Sequence, residues 1–191
     1  MKKIVDTINQ LPKWYGIGVI IIYSILCAEL FSIINNIVLS SNDFTNNNIF
    51  VVLSRISYGI TVLSQIIVWI IAAFLFHLMA LLFNGKSQFK RFLFISSYPY
   101  IIPATVILIG IFLLDNVRIS ETKEIVNFLA NNSSFKLVIN LINYSFIIYY
   151  IFVSILIHYI YKIKYVYAIL SVVIPIASIW IMAQLFGWVL Y

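Results

Sequence analysis

Polar residues in this chain come in short clusters, and between them the sequence is almost continuously apolar. Apolar runs cover residues 15–39, 54–83, 92–114, 137–161 and 165–189, with polar segments at 40–48, 84–91, 115–136 and 162–164. Each run is long enough to cross roughly 30 Å of hydrocarbon at about 1.5 Å per residue. An unpaired backbone group in lipid costs several kcal/mol, so the runs are predicted as helices. The expected fold is all-α: a polytopic membrane helix bundle of about five spans, preceded by a short segment, residues 1–14. A signal peptide has a shorter apolar core and a small-residue cleavage site, so the first run reads as a retained span.

Composition agrees. Of 191 residues, 63% are hydrophobic and only 9% charged, against about a quarter charged in a soluble domain. So few charges cannot cover a water-exposed surface, and lipid is the expected solvent. The formal charge is +6; in a helical membrane protein this excess reads as basic span ends rather than a nucleic-acid surface. The single cysteine, Cys27, excludes an intrachain disulfide.

Short-loop charges give the orientation. Lys2, Lys3, Lys13, Lys86, Lys90, Arg91, Lys162 and Lys164 fall on one side of the predicted spans, and Arg55, Arg118, Lys123 and Lys136 on the other. Eight against four places the N-terminus in the cytoplasm. Trp14, Tyr15, Trp188 and Tyr191 suit aromatic belts at the span ends. The outer segment 115–136 is predicted to hold a helix, with Ser120 as N-cap, Glu121 and Glu124 in its first turn and Asn131-Asn132 at its end. That helix either docks a partner, or lies on the bilayer surface or caps the bundle. Asn132-Ser133-Ser134 also fits a glycosylation acceptor.

Ionisable groups inside a span are candidate sites because lipid penalises them. Glu29 is the only acid within a run, and at its depth Gln65 or Asn143 would be its partner. It reads either as a proton or cation site, or as a hydrogen-bonded acid packing on Ser32 and Asn36. His77 and His158 fall nearer the cytoplasmic ends of their spans. In the fourth span Asn140, Asn143, Ile147, Tyr150, Ser154, His158 and Tyr161 recur at steps of three and four and share one stripe. The stripe lines a polar path, with Glu29, Gln65, Asn140, Asn143, Ser154 and His158 as its members, or else it glues helices together.

Pro99 and Pro103 lie four apart in the third run and Pro175 lies in the fifth. Each removes a backbone donor, so kinks or breaks are predicted there. Catalysis has no support: HExxH, GxSxG and phosphate-cradling glycine loops are all missing. Two histidines without a neighbouring carboxylate or thiol make a poor metal site, so neither metal nor cofactor is expected.

The segment from Ala80 to Pro103 resembles the Yip family of Ypt/Rab-interacting membrane proteins. The likeness rests on a span ending in N-G-K-S-Q-F-K-R at 84–91, then Phe92-Leu93, Ser97-Tyr98-Pro99 and Pro103. Five spans with a cytoplasmic N-terminus also match that layout. The resemblance implies a non-enzymatic protein that acts through partners. Eukaryotic members bind small GTPases through a longer cytosolic segment with a D-L-Y-G-P stretch, which this chain lacks, so GTPase binding does not carry over. Two functional expectations follow. One is an adaptor or accessory subunit that meets other membrane proteins, or further copies of itself, through its spans and the basic turn Lys86, Lys90 and Arg91. The other is a small carrier or channel subunit using the polar path and the proline kinks. The Ile-, Asn- and Tyr-rich composition points to a bacterial cytoplasmic membrane.

Overall fold

The computed structural model describes residues 7–8, 10–39, 48–114 and 132–190. The elements are α1 (Lys13–Leu39), α2 (Asn48–Leu82), α3 (Phe89–Ser96), a 3-10 turn (Tyr98–Tyr100), α4 (Ile101–Leu114), α5 (Ser133–Tyr161) and α6 (Tyr165–Leu190). The protein is all-α, with no strand among the described residues. Among the described residues five helical segments are long and apolar enough to cross a membrane, the third being Phe89–Leu114 counted across its break. This is a multi-pass membrane protein.

Three boundaries differ from the sequence reading. α2 begins at Asn48, six residues before the predicted start, because Ile49 to Leu53 continue the apolar run without a helix breaker. α5 begins at Ser133 rather than 137, because Asn132 caps it: the Phe135 N–H donates to Asn132 Oδ1 at 2.9 Å. The residue read as the end of one helix is the cap of the next. The basic turn at 84–91 is shorter than predicted, since Phe89, Lys90 and Arg91 already form the first turn of α3. The predicted outer helix falls mainly on residues 115–131, and Lys2, Lys3 and the loop at 40–47 likewise lie outside the described residues, as do Tyr191 and the Trp188 side chain.

Pro99 and Pro103 act at a break and a helix start. α3 stops at Ser96 and α4 starts at Ile101, with Pro99 inside the 3-10 turn between them. Pro103 is the third residue of α4, where a backbone N–H has no intrahelical acceptor anyway. The last carbonyls of α3 are met by side chains instead. Ser96 Oγ donates to Leu93 O at 2.9 Å and Ser97 Oγ to Phe94 O at 2.5 Å. Pro175 sits inside α6, which continues through it.

The chain divides into two compact units; the first four spans contribute a segment to each, and α6 lies wholly in the first. The first unit comprises residues 1–17, 68–99 and 149–191; the second, residues 18–67 and 100–148. In the second unit Tyr23 of α1 packs against Tyr100 with ring centroids 4.8 Å apart, and Ile20, Ala104, Ile107 and Val138 are buried. Gly110 of α4 lies against Val138 of α5, and a Cβ at Gly110 would stand 2.9 Å from Val138 Cγ1. Small residues thus bring backbones together, as lipid-embedded helices require. The first unit buries Phe76, Ala80, Phe92, Val153, Ile157, Tyr161 and Ala168.

Candidate functional site

Both short turns of the first unit are built by left-handed residues. α2 ends with Asn84 at φ 62°, its N–H donating to Leu81 O and the Gly85 N–H to Ala80 O, both at 2.9 Å. These two bonds satisfy carbonyls that the helix end leaves open, and asparagine tolerates the conformation. α5 ends the same way at Lys162, φ 57°. The Lys86 N–H then donates to Tyr161 O at 3.3 Å, which joins the two turns by backbone.

Tyr161 is the centre of this end. Its phenol hydroxyl pairs with His77 Nδ1 at 2.5 Å, its ring meets Phe92 edge to face at 5.4 Å, and Gly85 packs on it so closely that a Cβ there would lie 2.9 Å from Cδ1. His158 accepts a different place. Its Nδ1 donates to Ile163 O at 2.6 Å, and its ring stacks on Tyr165 at 3.7 Å. The two histidines are therefore each held by α5 or its turn, rather than paired with one another. Ser154, buried, donates to Tyr150 O at 2.8 Å. The lower members of the fourth-span stripe thus close on neighbouring groups of the chain.

The upper members do not. In the second unit Glu29, Asn140 and Asn143 are exposed, and Gln65 is half-buried. No hydrogen bond joins Glu29 to Gln65 or Asn143 among the described residues. Ser32, Asn35 and Asn36 of α1 face Ser54, Ser57 and Tyr58 of α2 around a crevice of about 10 Å³, room for one water at most. That cluster is an interhelical seam, and the sequence pattern showed only its α1 half. Among the described residues no group of three or more His, Cys, Asp or Glu side chains is placed to hold a metal ion.

Two surfaces of the first unit remain. One is charged: Lys13, Lys86, Lys90, Arg91, Lys162 and Lys164 are all exposed, and its described residues include no carboxylate. Ser87, in the same turn, has a buried hydroxyl without a partner among the described residues. The other surface is apolar. α2 and α6 border a groove of about 550 Å³ lined by Leu75, Leu78, Met79, Leu82, Pro175 and Met182, among others. Beyond Pro175, residues 177–185 of α6 are exposed one after another. Sequence reasoning missed this groove, because hydropathy does not tell a helix face that meets another helix from one left to lipid.

The fold and these surfaces define an all-α, polytopic membrane protein. No family model, curated protein or solved structure matches the chain.

Proposed function

We propose that this protein is a non-enzymatic adaptor or accessory subunit, of Yip-like type, that binds other membrane proteins through helix surfaces within the bilayer. The observation that carries this reading is the run 177–185 of α6. Every residue in it is exposed, including the large side chains Ile179, Trp180, Ile181, Met182 and Leu185 and the polar Gln184. A span packed only by its own chain would bury one stripe along its whole length. Asn140, Asn143 and Glu29 add polar groups to exposed faces of α5 and α1, where a neighbouring helix supplies the hydrogen bonds that lipid lacks. We place the basic turns in the cytoplasm of a bacterial cell, following the charge count.

Site-specific photo-crosslinking at Trp180, Gln184 and Asn143 in intact membranes tests this. The expected result is a discrete adduct with another membrane protein from these positions and none from buried Val153. The carrier alternative makes the opposite forecast. If purified protein moves an ion or solute across liposomes and Glu29→Gln abolishes the flux, the adaptor reading is wrong.

A further inference from the structure

We infer that the first unit carries a binding site for one anionic phospholipid, with its phosphate on the joined turns at Lys86, Lys162 and Lys164 and an acyl chain in the α2–α6 groove. Three observations converge.

The first is charge. Exposed cations from α1, α3 and both turns belong to this unit, and no described residue of the unit is an acid. The arrangement of the turns concentrates them. The Lys86 N–H bonds the carbonyl of Tyr161, so Lys86 lies beside Lys162 although 76 positions separate them in the chain. Lys90 stands in the first turn of α3, which holds no acidic residue. Cations at a helix N-terminus oppose the dipole; an anion seated there relieves both charges. Long-range attraction to a negative leaflet explains cations near a membrane in general, but not their gathering by a backbone bond between two turns.

The second is the groove. It is almost wholly aliphatic, and its one hydroxyl, Ser178 Oγ, already donates to Ile174 O at 2.8 Å. A polar ligand finds no bond there, whereas a hydrocarbon tail needs none. The volume of about 550 Å³ falls within the usual range for bound small molecules.

The third is that these features are continuous along the chain. The groove residues Leu75, Leu78, Met79 and Leu82 occupy the last two turns of α2, and Lys86 follows four residues after Leu82. Phe83 stacks on Tyr167 with rings 5.1 Å apart, tying the end of α2 to the first turn of α6 just after Lys164. A ligand with an anionic head and an aliphatic tail matches that sequence of surfaces; a free phosphate or a neutral lipid matches only one part.

Native mass spectrometry of the detergent-solubilised protein, titrated with phosphatidylglycerol or phosphatidylcholine, tests the inference. Phosphatidylglycerol should bind at least about tenfold more tightly than phosphatidylcholine. Each lysine near the surface is worth about fivefold in affinity, so combining Lys86→Gln, Lys162→Gln and Lys164→Gln should cost on the order of 100-fold for phosphatidylglycerol and little for phosphatidylcholine. Ser178→Phe, at an exposed position that leaves the core intact, should weaken both lipids by filling the groove. Glycerol phosphate at millimolar concentration should fail to displace phosphatidylglycerol from the native protein, since it lacks the tail. Equal binding of the two lipids, undiminished binding to the triple variant, or displacement by glycerol phosphate would each overturn the site. So would unchanged phosphatidylglycerol binding by Ser178→Phe.

Discussion

Tyr161 and Trp180 belong to consecutive helices of the same unit, yet one is 1% exposed and the other 64%. Around Tyr161 the chain uses a histidine hydrogen bond, an edge-to-face ring, a close glycine and a backbone bond between two turns. Around Trp180 it uses none of these among the described residues. Lipid tails are as apolar as leucine, so greasiness alone does not bring membrane helices together. Helices hold where shape and hydrogen bonds are specific. The Tyr161 end has that specificity built in, and residues 177–185 of α6 leave their surface open to lipid or to other proteins.

The contrast can be broken from either side. The largest effect should come from Tyr161→Ala, which empties the centre of the cluster and should cost about 3–5 kcal/mol, read as unfolding in detergent; a cost below about 1 kcal/mol would erase the distinction. Gly85→Ala comes next, at about 1–3 kcal/mol, because the new Cβ would lie 2.6 Å from Ala80 O within the turn's own hydrogen-bonded backbone. Lys162→Gly should act with the opposite sign and stabilise by about 1 kcal/mol, since glycine accepts φ 57° without a Cβ penalty. Tyr161→Phe keeps the ring and loses only the His77 partner, so about 0.6 kcal/mol is expected, and a double-mutant cycle with His77→Phe should return the same coupling. Trp180→Ala and Ile181→Ala should shift the stability of the isolated protein by less than about 0.5 kcal/mol. A large loss there would mean that α6 is packed by its own chain after all.

Much of the architecture was legible because lipid allows few choices. Five apolar runs had to be helices, and Pro99 and Pro103 announced the broken third span. What the spacing could not supply was environment. Asn140 and His158 share a stripe by periodicity, but periodicity fixes only their common face and not what that face meets: His158 closes on Ile163 O, whereas Asn140 is exposed. The cap at Asn132 was hidden because asparagine also ends helices, and the same letter serves both roles. Lys162 in a left-handed turn had no sequence signal, lysine being an ordinary helix former. The link between Lys86 and Tyr161 is a main-chain bond, to which side-chain identity gives no clue.

One hydrogen bond reaches ahead of the first span. The Tyr98 hydroxyl donates to the carbonyl of Pro12 at 2.9 Å, and one turn along α1 Gly16 lies so near Ser97 that any Cβ would overlap its Oγ and stand 2.8 Å from Phe94 O. Pro12, just ahead of α1, is thereby latched to the point where the third span is interrupted. The start of the first span is thus fastened to the least continuous of the spans, and whatever shifts one of them must shift the other.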